Sequence, residues 1–323
     1  MKKTVILTLL LFLSSCGSGT TVLETELQTG TDGLTIDILD FPTAITEEDK
    51  FYLALELRNE GFYDIEDARV FASVERDFVE VDNWDLPEDF TASFEGIVSF
   101  TLDGKSIYNT RGDKQILRAV MNTKKIDPTR NLMKSRIVIN ACYSYSTILS
   151  DTICIDTDPS GLSVAAKTCT STNLNADSQG APVAITKVDQ KIIPGTSSEN
   201  VGIEFTILAK NKGSGLIVNP DGFDIVCLEG AESREDYNTI KIKRIGFYDF
   251  ELDSQQSDIV CTPNVLRETK DGYITKCRLN EGRNIPKKLF TFETPIVIEL
   301  EYGYRISEGT EIEIMSKDPG FFG

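Results

Sequence analysis

The strongest constraint on how this 323-residue chain folds is that parts of it occur twice. The segment Ile137–Ile155, IVINACYSYSTILSDTICI, aligns without gaps on Ile296–Ile314, IVIELEYGYRISEGTEIEI, at an offset of 159 residues. Ile137, Val138, Ile139, Tyr143, Tyr145, Ile153 and Ile155 recur as Ile296, Val297, Ile298, Tyr302, Tyr304, Ile312 and Ile314. A second pair, LALELRNEG ending at Gly61 and FTILAKNKG ending at Gly213, recurs in the same order at an offset of 152. Two ordered matches point to a duplicated module. The copies are expected to span 33–156 and 181–317. Between them, 157–180 is rich in Ser, Thr, Asn and Ala and reads as a linker.

Each repeated segment alternates apolar and polar residues, the period of a half-buried strand. Phe51, Leu53, Leu55 and Leu57 share one face, as do Val201, Ile203, Phe205, Ile207 and Ala209. Both runs stop at an Asn-x-Gly turn signal. In the longer repeat, Ile296, Ile298, Leu300, Tyr302 and Tyr304 are expected in the core, with Glu299, Glu301 and Arg305 toward solvent. Each copy of that repeat is expected to be a hairpin, the first turning near Ile148. Short strands without a convincing long helix predict an all-β chain, two tandem immunoglobulin-like antiparallel sandwiches.

The N-terminus reads as an address. Lys2 and Lys3 precede an apolar run from Val5 to Leu13, too short for a transmembrane helix and suited to a signal peptide over 1–15. The following Leu13-Ser14-Ser15-Cys16-Gly17 resembles the lipobox of prokaryotic lipoproteins, which implies lipidation of Cys16. The alternative is an ordinary secretory signal that contains a Cys. Residues 16–32 would then be a lipidated, flexible tether reaching about 20–25 Å, and 318–323 a C-terminal tail. The implied location is the extracytoplasmic face of a cell envelope.

The alternating strand ending in Asn-x-Gly, followed by further strands and a closing repeat, resembles the CARDB-type Ig-like modules of prokaryotic surface proteins. Within that group, ACYSYSTILSDTICID and QGAPVAITKV resemble uncharacterised two-module secreted or anchored proteins of archaea. The resemblance implies an adhesion or scaffold role and carries no functional residues. Glu301 and Glu313 stand where the first copy has Cys142 and Cys154.

Apart from Cys16 there are six cysteines, an even number that in an exported chain favours disulfides. A hairpin turning near Ile148 would set Cys142 opposite Cys154. Cys261 with Cys277 and, by elimination, Cys169 with Cys227 complete the expected set. No CxxC spacing supports a thiolate metal site.

The chain contains no His, which removes Ser-His-Asp and Cys-His catalysis and His-ligated metals. Its net charge of −18 opposes nucleic acid and anionic lipid surfaces. Removing the signal peptide leaves 31 basic against 51 acidic residues. Asp156-Thr157-Asp158-Pro159-Ser160-Gly161 begins like a calcium loop, but position 12 is Lys167 rather than Glu. Asp82, Asp85, Glu88 and Asp89 around Trp84 form an acidic cluster. Arg111-Gly112-Asp113 matches an adhesion tripeptide on a hairpin tip, and Asp103-Gly104-Lys105-Ser106 is a turn rather than a phosphate loop. The paired tyrosines 143/145 and 302/304 are either a sugar-stacking platform or, since they point with the isoleucines, core. The expected protein is a non-enzymatic, lipid-anchored scaffold, spacer or adhesion module without cofactors, with a protein or glycan partner. The alternatives are a carbohydrate- or calcium-binding module and a carboxylate-only hydrolase of envelope polysaccharide.

Overall fold

The computed structural model describes residues 24–93, 96–161, 166–228 and 236–317. The proposed signal peptide and Cys16 lie outside the described residues, as does the tail 318–323. After a short helix α1 (Glu24–Leu27), the first half supplies β1 (Leu34–Asp40), β2 (Ala44–Thr46), β3 (Lys50–Asn59), β4 (Ile65–Val74) and β5 (Val79–Asp85). It continues with β6 (Thr91–Ala92), β7 (Val98–Leu102), β8 (Lys114–Thr123) and the long β9 (Leu132–Asp156). Next come β10 (Leu174–Asn175), β11 (Val183–Pro194), β12 (Asn200–Asn211), β13 (Leu216–Val218) and a helix α2 (Phe223–Leu228). The remainder is β14 (Thr239–Phe247), β15 (Phe250–Leu252), β16 (Ile259–Thr262), β17 (Val265–Thr269), β18 (Gly272–Leu279), β19 (Ile285–Pro286) and β20 (Thr291–Met315).

One sheet has four strands in the order β1-β3-β8-β5, and the other runs β10-β11-β12-β18-β17-β14-β20-β9-β4-β7-β6. Among the described residues, all pairings are antiparallel except β2 with the end of β20. The chain is thus an all-β, sandwich-type protein. The alternation read in the sequence sets the layers: Leu53, Leu55 and Leu57 on β3 and Ile203 and Ile207 on β12 are fully buried in one continuous apolar core. Burying each such side chain contributes about 1.5–3 kcal/mol relative to exposure. Ile296, Ile298, Leu300, Tyr302 and Tyr304 are buried in it too, while Glu299, Glu301 and Arg305 are partly exposed.

The expected hairpin at Ile148 is a single strand. β9 and β20 each run unbroken for 25 residues and pair along their whole length, with Ser144 opposite Gly303. The 159-residue sequence offset carries the first residue of β9 onto the first of β20 and the last onto the last. The two copies of the repeat are therefore each other's partners. A partner of equal length satisfies the backbone of each strand throughout, so Ser307-Glu308-Gly309, a turn by composition, stays extended. Side chains still alternate in and out, which is why the faces were legible and the turn was not.

Residues 157–180 are not a free spacer where described. Thr157 Oγ1 donates to Phe290 O at 2.9 Å, and Thr168 Oγ1 donates to Thr291 O at 2.8 Å. Strand β10 pairs with β11, and Gly180 O accepts from Phe62 N at 2.8 Å.

Candidate binding cleft

The outer face of β9 and β20 floors a cleft of about 660 Å³. Asp64, Glu66 and Asp67 come from the start of β4 and the turn before it, Asp221 from the turn before α2, and Glu299 and Glu301 from β20. Arg69 pairs with Asp67 and Lys241 with Asp221, and the Lys243 ammonium lies 2.9 Å from Glu299, so the acids outnumber the bases around the cleft. The hydrogen bond to Glu299 raises the Lys243 pKa, and the charges of Glu301 and Glu66 act in the same direction. The cleft therefore presents a negative field to solvent, attractive to cationic groups.

Its wall is held by Tyr63, whose hydroxyl accepts from Ile148 N and donates to Ile148 O, both at 3.0 Å. One side chain thus satisfies both backbone groups of Ile148 on an edge of β9 that no strand covers among the described residues. Burial pushes the Tyr63 phenol up to about 12. A disulfide between Cys142 and Cys227 ties α2 to β9 beside the cleft, with Phe223 and Phe71 packed around it.

That bridge corrects two expected pairings. Cys154 is joined to Cys169, and Cys261 to Cys277. Cys142 and Cys154 cannot meet because they lie on one extended strand, twelve residues and about 40 Å apart. Cys169 is placed against β9 by Thr168, whose backbone N–H donates to Thr291 on the paired strand, and is therefore unavailable to Cys227.

The tyrosines are core. Tyr143 and Tyr302 are fully buried, and Tyr145 and Tyr304 are 2% exposed, so they offer no face for a sugar to stack on. Their rings meet across the two strands, Tyr143 on Tyr304 with centroids 5.7 Å apart and Tyr145 on Tyr302 at 6.4 Å.

The other flagged motifs are spent locally. Asp156 pairs with Lys167, the residue that fills the final position of the calcium-like loop. Asp82 pairs with Lys50 at 3.0 Å, and Trp84 Nε1 donates to Gly96 O at 2.9 Å. Asp113 turns back to accept from the Lys114 backbone N–H at 2.8 Å, and Arg111 is exposed. Gly104 N donates to Asp64 at 2.7 Å, which ties its turn to the one before β4. Among the described residues, no group of three or more His, Cys, Asp or Glu is arranged to hold a metal ion.

The sequence placed Glu299 and Glu301 on the solvent face but gave no sign of Asp64, Glu66, Asp67 and Asp221 beside them. Their convergence depends on β4 lying next to β9 and on the Pro220–Gly222 turn lying over β20, neither of which is a local pattern.

No known protein family matches the chain, and no curated protein does. Among solved structures, it is similar to a chain of the Coh-OlpC–Doc435 type I cohesin–dockerin complex from Clostridium thermocellum. That match has 12% identity, covers 36% of this chain and 85% of the other, and has a TM-score of 0.26. A chain of the complex of the sixth cohesin from Acetivibrio cellulolyticus scaffoldin B with a Cel5 dockerin mutant matches at 13% identity, covering 34% and 84%, with a TM-score of 0.24. AvmM, described as catalysing macrocyclization in alchivemycin A biosynthesis, matches at 13% identity, covering 35% and 74%, with a TM-score of 0.21. The likeness to cohesin-type sandwiches is distant and assigns no family.

Proposed function

We propose that the protein is a non-catalytic, exported scaffold, anchored to the cell envelope through a lipid on Cys16, that holds a protein or glycan partner at a fixed geometry. The observation that carries this reading is the 25-residue pairing of β9 with β20, which makes the two repeats one rigid body rather than two beads on a string. Three disulfides support the location, because such bridges persist in oxidising compartments. The missing His supports a non-enzymatic role, since it removes the commonest general base.

Fractionation of cells carrying the full chain tests the reading. The wild type is expected in the membrane fraction and accessible to protease on intact cells. Cys16→Ser is expected to be exported but released. Membrane retention of Cys16→Ser would overturn the anchor, and turnover of an envelope polysaccharide by the purified protein would overturn the non-catalytic role.

A further inference from the structure

A second cavity, of about 630 Å³, is lined by Tyr143 and Tyr304 of the tyrosine cluster. One wall is 31–37, leading into and along β1; the other is 304–308 of β20. Each wall includes a stretch of strand edge without a strand partner among the described residues. β1 ends its sheet and pairs only with β3 among the described residues. The side of β20 turned away from β9 is covered by β14 at 296–301, β13 at 303–305 and β2 at 313–315. Between β13 and β2, no strand pairs with 306–312 on that side among the described residues. Glu313 N donates to Thr43 O and Met315 O accepts from Glu47 N, so odd-numbered residues aim their backbone groups outward there. The pairing with β9 continues without a register shift. Ser307, Gly309 and Glu311 therefore present backbone donors and acceptors to the gap. Seven residues at about 3.3 Å each leave room for one short strand.

The cavity also holds an unanswered hydroxyl. Tyr143 is fully buried and lines it. The Leu34 amide faces this hydroxyl and, being a donor, can meet only its lone pairs. No acceptor for its proton stands within hydrogen-bond distance among the described residues. In the other repeat the equivalent Tyr302 hydroxyl bonds to Thr147 Oγ1 at 2.9 Å and accepts from Val183 N at 3.4 Å. At the repeat offset, the position of Thr147 is taken by Ile306, which offers the Tyr143 hydroxyl no acceptor. A buried polar group without a partner costs about 1–3 kcal/mol. Acids predominate in the lining as well: Asp32, Asp37 and Glu308 line it with Arg305, whose guanidinium is held by Asn140 at 2.9 Å, while beyond the cavity Arg136 lies beside Gly309 and Lys134 pairs with Glu311.

We propose that this groove binds an extended, basic peptide segment of a partner protein as an added strand along 306–312, with the Tyr143 hydroxyl donating to one of its carbonyls. The proposal rests on the scaffold reading and supplies its mode of recognition: main-chain pairing for affinity and acidic flanks for selection.

The test pans a random peptide library displayed on phage against the full chain, purified with its disulfides intact, and measures the affinity of the enriched peptides. Peptides rich in Lys or Arg and in β-forming residues are expected. Gly309→Pro removes an outward N–H without touching the β9 pairing and should weaken them about tenfold. Asp37→Lys and Tyr143→Phe should each weaken them several-fold. The proposal is overturned if no peptide is enriched, or if Gly309→Pro and Asp37→Lys bind as tightly as the wild type. Binding of a neutral oligosaccharide that Tyr143→Phe abolishes and Gly309→Pro leaves intact would overturn it in favour of a sugar site. Because the assay uses isolated protein, its failure leaves the envelope fractionation result untouched.

Discussion

The Tyr304 hydroxyl donates to Asn211 Oδ1 at 2.9 Å and accepts from Gly215 N at 2.9 Å. Its repeat counterpart Tyr145 donates to Asn59 Oδ1 at 3.4 Å and accepts from Tyr63 N at 3.2 Å. The two sequence matches, found at different offsets, are therefore the two ends of one recurring tie. Each long strand is fastened through a tyrosine to the Asn-x-Gly turn of its own half. Tyr304→Phe is expected to cost about 1–3 kcal/mol in urea denaturation, because Asn211 and the Gly215 amide lose a partner. Adding Asn211→Ala should then cost far less than Asn211→Ala alone. Additive losses would show that the two residues are not coupled.

The glycines of those turns are required by the same tyrosines. A Cβ at Gly61 would lie 1.8 Å from the Tyr145 hydroxyl, and one at Gly213 would lie 2.5 Å from the Tyr304 hydroxyl. Gly61→Ala should destabilise by about 1–3 kcal/mol, as overpacking does, and by more than Gly213→Ala. Tyr145→Phe in the Gly61→Ala background should recover part of the loss, since it removes the nearest atom. Thermal melting of the two single variants and the double variant checks this.

Alkaline pH should unfold the protein before backbone chemistry intervenes. Burial pushes the phenols of Tyr63 and Tyr304 up to about 12 and raises those of Tyr143, Tyr145, Tyr273 and Tyr302 further. Unfolded tyrosines titrate near pH 10. The unfolded chain therefore loses these protons first, and stability is complete below pH 10. It falls as pH rises toward 12, because each of these phenols gives up its proton more readily in the unfolded chain. Melting temperature across this range should drop steeply, and Tyr304→Phe should flatten the slope. A melting temperature insensitive to pH up to 12 would contradict the burial.

Peptide mapping without reduction should yield Cys142 joined to Cys227, Cys154 to Cys169 and Cys261 to Cys277. A fragment joining Cys142 to Cys154 would require β9 to fold back near Ile148, and the continuous strand would then be wrong.

The alternation of Leu53, Leu55 and Leu57, and of Ile296, Ile298 and Leu300, made the strands and their buried faces legible, because the side-chain period of a strand is local. The union of β9 with β20 was not legible. A repeated segment records what each strand resembles, not what it pairs with, and an apolar-faced strand fits a hairpin or a distant partner equally well. The cysteines failed for the same reason: their partners depend on whether the strand turns. The cleft was the least visible, since Asp64, Asp221 and Glu301 become neighbours only after β9 and β20 are paired.

The ladder between β9 and β20 also has a mechanical meaning. At about 3.3 Å per residue, the paired strands form a girder about 80 Å long, loaded in shear when pulled along its axis. Ligands on the two halves would keep a set bearing to one another. A partner with two matching sites would engage the second without the entropy that a swivelling joint imposes.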